Sequence, residues 1–429
     1  MTKKILKILH TDIGKLLSGN IIVQLTTVLQ AIIVSRILGP EGKGQFIEIV
    51  LWPTIISGFS ILGLYTGIAK LSARNVIYDK YNLARTTLKA TLIVGTAGAL
   101  ISCIFSPLLI SLEQNYMVKL VVIFSSFVLI NNVARGFNAI DHGRKDFTRY
   151  SITRSILNPI FFLLLLILFC IGKLNLTTVI ISLLFANFSV CLIRTILSLR
   201  SQKNNHTDFP LRKLFKYSIK FSISDLSEPI YAYFDKAVLA LVLVSYDLGI
   251  YTTAYSAASL VNILSNVYGT KLFSDIAGGT SPSHINTMLR QNFILMSIFS
   301  VFLILVFPFL IPFVFGSDFS PAIIPAILLI LTCILQGQSY VVERSILAFG
   351  FPFAGAKAKG LNMLLLAILA IGCKSIEIIN INILILIVTL CQMVYFIYIL
   401  FQMKQLCKIN LEISPRKSDF ITLYNSIIK

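Results

Sequence analysis

The sequence predicts an all-α polytopic membrane protein of about twelve transmembrane helices, arranged as two six-helix lobes around a central cavity. Three observations carry that prediction. Hydrophobic residues make up 56% of the 429-residue chain and charged residues 13%, against about 45–50% and about 25% in soluble domains. Roughly 240 apolar residues, at about 20 per bilayer crossing, suffice for a dozen spans. Lys and Arg, finally, concentrate on alternate loops.

Taken in order, the N-terminal segment MTKKILKILHTDIGKLL is basic but lacks the apolar core and small-residue cleavage site of a secretory signal. It is expected to stay as an amphipathic lead-in. Charge-poor runs then mark spans at about 16–34, 46–69, 90–112, 117–139, 152–171 and 176–197, and again at about 217–241, 248–273, 292–315, 321–348, 357–373 and 379–403. The first and second are separated by the turn Gly39-Pro40-Glu41-Gly42-Lys43-Gly44. Between the sixth and seventh runs a basic, polar stretch with an Asn pair and Pro210, which reads as a loop. The seventh is the most polar, holding Asp225, Glu228, Pro229, Asp235 and Lys236, and its proline favours a bend. These limits give a lobe over 1–200, a linker over 201–216, a second lobe over 217–403 and a tail over 404–429.

The loops test the count, because cytoplasmic loops carry the excess of Lys and Arg. With twelve spans, 31 of the 37 basic residues fall on one side, leaving Arg36, Lys43, Lys119, Lys173, Lys236 and Lys374 on the other. An even number of spans with both termini in the cytoplasm follows. The same loops absorb most of the net charge of +19, so anionic membrane lipids, not nucleic acid, are the expected partner of the basic surface. No nucleic-acid motif accompanies the charge.

Two other classes fall away. The seven cysteines are scattered singly and the four histidines lie far apart, so neither type supplies metal-ligand spacing. The run Gly39 to Lys43 lacks the spacing and the Ser/Thr of a nucleotide-binding loop. No cofactor is expected.

The halves echo one another. Gly44 and Phe46 recur as Gly249 and Tyr251, Arg85 recurs as Arg290, and Arg135 with Ala139 recurs as Arg344 with Ala348, at offsets of 205 to 209 residues. Six spans per unit make these parallel repeats, a design that places substrate between the halves.

The run ILGPEGKGQF after a polar first helix, its echo DLGIYTTAY, the Arg135-Gly136-Phe137 end of the fourth helix and the six-plus-six spans together resemble the polysaccharide transporter branch of the multidrug/oligosaccharidyl-lipid/polysaccharide exporter superfamily, which includes O-antigen and capsule flippases. The resemblance implies a V-shaped, non-enzymatic transporter in the bacterial inner membrane. It implies as substrate an undecaprenyl-diphosphate-linked oligosaccharide, moved from the cytoplasmic to the outer leaflet, with a polysaccharide polymerase and other assembly proteins as partners. A multidrug/cation antiporter of the same superfamily and a membrane enzyme of polysaccharide assembly are the alternatives.

Polar residues at helical spacing locate the expected site. Asn20, Gln24 and Thr27 share a face of the first span, within about 60° at 100° per residue. Asn131, Arg135, Asn138 and His142 do so on the fourth, Tyr251, Tyr255, Asn262 and Asn266 on the eighth, and Gln336, Tyr340 and Glu343, beside Arg344, on the tenth. Such residues serve either as interhelical glue or as the lining of a hydrated cavity; stripes along whole helices favour the cavity. Tyrosine offers sugars a ring face and a hydroxyl. Arg135 and Arg344, followed by Arg154 and Lys220, are the candidates for the diphosphate, since a guanidinium fork matches phosphate oxygens. An antiporter for cationic drugs would instead place carboxylates at the centre. On the seventh span Asp225, Glu228 and Asp235 fall within about 80° of one another. Clustered carboxylates bind protons or demand a cation, and in related exporters helix seven contributes to cation sites, so these three are the expected Na+ or H+ coupling residues.

Overall fold

The computed structural model describes residues 12–73, 81–110, 115–144, 146–200, 207–277, 282–376, 380–411 and 416. The chain is helical nearly throughout: α1 Asp12–Ser60, α2 Leu64–Ser72, α3 Leu83–Phe105, α4 Asn115–Phe124, α5 Ser126–Gly143, α6 Phe147–Ser155, α7 Leu157–Cys170, α8 Leu176–Arg200, α9 Leu211–Ser218, α10 Ser222–Ala240, α11 Ser245–Ala258, α12 Asn262–Ala277, α13 Pro282–Phe315, α14 Ile323–Ala348, α15 Pro352–Ser375 and α16 Ile381–Cys407. Two short strands, β1 Tyr81–Asn82 and β2 Thr207–Asp208, pair in parallel.

Eight helical stretches among the described residues are long and apolar enough to cross a membrane, and the bent pair α1–α2, broken by 51°, makes a ninth. The eight correspond to the third to sixth and ninth to twelfth runs of the sequence. The first two runs merge in α1 and α2. Gly39, at φ +66° and ψ −177°, interrupts the helical backbone of α1, and a second break falls at residues 61–63, before α2. The seventh and eighth runs, richest in polar residues, form the shorter helices α10, α11 and α12, separated at residues 241–244 and by a 3-10 turn at Ser259–Val261.

Two compact units divide the chain. One comprises Met1–Leu38 and Gln45–Tyr233; the other comprises Gly39–Gly44 and Phe234–Lys429. The division falls inside α10, after the basic linker, and the turn following the first span packs as part of the second unit.

In the first unit α5 is the hub, packed on α2, α3 and α8 around Ile68, Leu83, Val133 and Phe137. Helix α3 shows the logic of a bilayer element. Thr91 and Ser102 are buried, while Leu100, Ile104 and, in the 3-10 turn that follows, Leu108, at spacings of four, are 66%, 64% and 67% exposed. In water that ridge would be costly; in hydrocarbon it is the solvated surface, and the polar groups turn inward to find partners. Ser102 accordingly bonds Ser125 at 2.8 Å and Ser106 at 3.0 Å.

In the second unit α14 is the hub, packed on α11, α12, α13 and α16 around Leu289, Val341, Ile346, Ile399 and Met403. The two glycine motifs that mark the repeat pack here against each other. A Cβ on Gly44 would lie 1.7 Å from the carbonyl oxygen of Ser245, and one on Gly249 1.9 Å from that of Pro40. Backbones this close admit no side chain. Next to this contact the Lys43 ammonium, buried, donates to Thr253 Oγ1 at 2.7 Å and lies over the rings of Phe315 and Phe319 at 5.2 and 5.5 Å. A desolvated cation over aromatic faces gains about 2 kcal/mol, which offsets part of the cost of burying it.

Candidate functional site

Polar side chains gather inside each unit. In the first, α5 faces the second half of α1. Asn131 Nδ2 donates to Ser57 Oγ at 2.8 Å, Asn132 Nδ2 donates to Ser60 Oγ at 2.6 Å, and Ser57 Oγ donates to Asn132 Oδ1 at 3.3 Å. One turn beyond Asn131, Arg135 is half-buried, with Asp225 near enough to act on its charge and Tyr65 and Tyr233 in its surroundings. Asp225 is held in turn by α2: Thr66 donates its backbone N–H to Oδ2 at 3.1 Å and its hydroxyl to Oδ1 at 2.5 Å. Both carboxylate oxygens are thus used, in charge-assisted bonds that are the strong kind.

Next to this cluster, on the far side of the Ala134 carbonyl, lies a second set of charges that the sequence pattern does not mark. Arg194 of α8, buried, donates to the carbonyl of Ala134 at 3.1 Å and to the hydroxyl of Thr153. Arg149 stands 3.6 Å from Asp141 and donates to Ser198 at 3.1 Å. Asn138 Oδ1, Asp141 Oδ2 and Arg194 Nε are buried without a hydrogen-bond partner among the described residues. The signal in the sequence is Arg194 itself, a cation placed inside an apolar run three residues before its end, where a loop assignment hides it.

The second unit brings Asp235, Tyr255 and Asn262 into one network. Tyr251 donates its hydroxyl to Asp235 Oδ2 at 3.3 Å and stacks on Tyr255 at 6.2 Å between centroids. Tyr255 donates to Gln336 Oε1 at 3.1 Å, and Asn262 Nδ2 donates to the same oxygen at 3.3 Å. Lys236 Nζ lies 5.1 Å from the Tyr255 ring centre. Gln336 is therefore the joint of α11, α12 and α14, a role its place in the polar stripe indicates without naming its partners. Eight residues on, about 12 Å along α14, Arg344 lies over Tyr340 at 4.9 Å, and Glu343 pairs with Lys359 at 2.7 Å while accepting from Tyr395 at 3.1 Å.

Other expected residues stand elsewhere. Thr27 Oγ1 accepts from Asn158 at 3.0 Å, a contact of α1 with α7. Lys220 is exposed. Asp225 and Asp235, expected to act together, belong to different units. The side chains of Asn20, Gln24, Arg154 and Glu228 lie outside the described residues. Among the described residues no three His, Cys, Asp or Glu side chains come together as ligands of a metal ion.

Chemically, the first unit offers a guanidinium flanked by tyrosines and amides, suited to an oxyanion, and the second offers stacked tyrosines with amide and carboxylate partners, suited to hydroxyl-rich surfaces and a small cation. A family model described as "Polysaccharide biosynthesis protein" matches residues 9–273. The chain is 27% identical over 165 residues to the "Probable low-salt glycan biosynthesis flippase Agl15" of Haloferax volcanii. That match covers 37% of this chain and 35% of the relative, about a third of the relative's length. Among solved structures, the lipid II flippase MurJ in an inward closed conformation aligns with a TM-score of 0.72 at 15% identity, covering 96% of this chain and 90% of that one. An inward-facing multidrug resistance MATE family transporter of the MOP superfamily aligns with a TM-score of 0.68 at 15% identity, covering 90% and 96%. At these identities the likeness is one of fold alone.

Proposed function

We propose that this chain, which belongs to the polysaccharide biosynthesis protein family, is a flippase that moves undecaprenyl-diphosphate-linked oligosaccharide from the cytoplasmic to the outer leaflet for surface polysaccharide, O-antigen or capsule, by alternating access. The family match over residues 9–273 carries the reading. The flippase named among its relatives and the transporter fold support it. It acts as a secondary transporter and not as an enzyme, in the bacterial inner membrane, with both termini in the cytoplasm.

The roles follow from chemistry. Arg135 takes the diphosphate, because a guanidinium presents several donors to phosphate oxygens and Asp225 acts on it from nearby, leaving it available for exchange between carboxylate and substrate. Arg344 does the same in the second unit. Tyr255, Asn262 and Gln336 face the sugars. Of the two described carboxylates of α10, Asp235 is the better coupling residue for Na+ or H+. Among the described residues it accepts one hydrogen bond, at 3.3 Å, where Asp225 has both oxygens engaged, and a carboxylate has about four acceptor positions in all.

Deletion of the gene in its host tests the reading. Surface polysaccharide is expected to disappear, with lipid-linked repeat units accumulating at the inner leaflet, and the wild-type chain to restore it while an inserted Arg135→Gln chain does not. Unaltered polysaccharide after deletion would remove the flippase assignment; full restoration by Arg135→Gln would remove the diphosphate role of that residue.

A further inference from the structure

Helix α9 and the 3-10 turn Ile219–Phe221 lie across one end of the first unit. At that end α3 begins and α2, α5 and α8 finish: Leu71, Leu83, Ile140 and Leu199 pack in the same cluster as Leu214, and Gly143, the last residue of α5, meets Ala69 and Ser72. The sequence LRKLFKYS sets two opposite faces on α9. At 100° per residue, Leu211, Leu214, Phe215 and Ser218 share one arc of about 100°. Leu214 and Ser218 are fully buried, packed with Leu211 and Phe215 on the core of Ile68, Leu71 and Leu83. Three further contacts fix the helix. A Cβ on Gly67 would lie 2.1 Å from Ser218 Oγ, so α2 can meet α9 only at a glycine. Thr86 Oγ1 donates to the carbonyl of Phe209 at 2.9 Å, and Lys70 Nζ sits 4.1 Å from the ring centre of Phe221.

The other arc, also about 100° wide, presents Arg212, Lys213, Lys216 and Lys220, all exposed. None of the four makes an ion pair among the described residues, and the acid at this edge, Asp208, is committed to Lys89 at 2.6 Å. Ile219, in the midst of these cations, is 63% exposed. On an interfacial helix an exposed isoleucine among cations has a place, because cations meet headgroups while apolar side chains enter the acyl boundary.

We infer that α9 and its following turn form a binding surface for anionic phospholipid headgroups, with Arg212, Lys213, Lys216 and Lys220 as the phosphate contacts and Ile219 as the apolar anchor. Anionic lipid attracts basic residues near the surface individually, so four on one rigid arc concentrate it locally. The surface is independent of the cargo and of which side of the membrane it faces.

The test uses the full chain in nanodiscs of phosphatidylcholine and phosphatidylglycerol, comparing the association of spin-labelled forms of the two lipids with the protein. The wild type is expected to prefer phosphatidylglycerol, and the preference to weaken as sodium chloride is raised. R212Q/K213Q/K216Q/K220Q is expected to lose most of it, each cation contributing up to about fivefold, with Trp52 fluorescence unchanged. The pairs R212Q/K213Q and K216Q/K220Q, each expected to lose part, keep the experiment readable if the fourfold variant fails to insert. A preference that the pairs leave intact overturns the inference. So does displacement of phosphatidylglycerol by inorganic pyrophosphate beyond that caused by sodium chloride of equal ionic strength, which would identify a site for free phosphates.

Discussion

Arg135 and Arg194 sit on neighbouring helices of the same unit, yet their surroundings assign them different work. Arg194 is buried and bonded to the Ala134 carbonyl and the Thr153 hydroxyl, with Asp141 close enough to act on its charge. Removing one member of a buried charge set leaves the other uncompensated, at a cost of about 3–5 kcal/mol. Arg194→Gln is therefore expected to lower the thermal unfolding midpoint sharply and to reduce the amount of inserted protein, as read in detergent extracts. Arg135, half-buried and near a carboxylate that Thr66 already holds, is expected to tolerate the same change with its unfolding midpoint in place while transport is lost. A milder case is Asn132, which bonds Ser60 and Ser57: Asn132→Ala is expected to cost about 0.6–2 kcal/mol, measurable as a shift of the denaturation midpoint, without abolishing transport.

At the scale of elements, the glycine motifs answer for the contact between the segment Gly39–Gly44 and α11. Because a Cβ at either Gly44 or Gly249 would fall within 2 Å of a carbonyl oxygen, Gly249→Ala is expected to force the backbones apart at a cost of about 1–3 kcal/mol. Gly44→Ala should do the same, and the double variant should cost less than the two together because both changes open one contact. Thermal unfolding of the four proteins measures this; strict additivity would contradict the shared contact. These elements also show what could be read from residue order. Periodicity and charge marked α3, α4 with α5, α6 with α7, α8 and α13 to α16, each span overlapping one apolar run, although α3 and α13 begin before their runs at Leu83 and Pro282. They placed the break at 241–244, between the seventh and eighth runs, but not those at 61–63 and 259–261; around the first, the contacts are with partners distant in sequence, since Gly63 meets the Ser218 carbonyl and Thr66 bonds Asp225. A pattern read one helix at a time contains no such partner.

For the whole molecule, the polar stripes were legible as stripes but not as networks. Arg135 with Asn131, and Tyr255 with Asn262, were visible because an amide or cation in an apolar run stands out. Of their joints, Gln336 was visible in the stripe of the tenth span without its partners, and Thr66 is an ordinary residue until the helices meet. The separation of Asp225 from Asp235 was hidden too, since the unit boundary at Tyr233 crosses a continuous helix. If both termini lie in the cytoplasm, a single cysteine placed at Lys213 in a chain freed of its seven native cysteines is expected to react with an impermeant maleimide only in permeabilised cells, and reaction in intact cells would reverse the topology. The central claim, that the chain moves lipid-linked oligosaccharide across the bilayer, is tested most directly in proteoliposomes. Undecaprenyl-diphosphate-linked oligosaccharide is confined to the inner leaflet, and its arrival outside is followed with an impermeant glycosidase. Wild-type protein is predicted to expose the glycan and Arg135→Gln protein to leave it protected; equal exposure in vesicles with and without the protein would contradict the account.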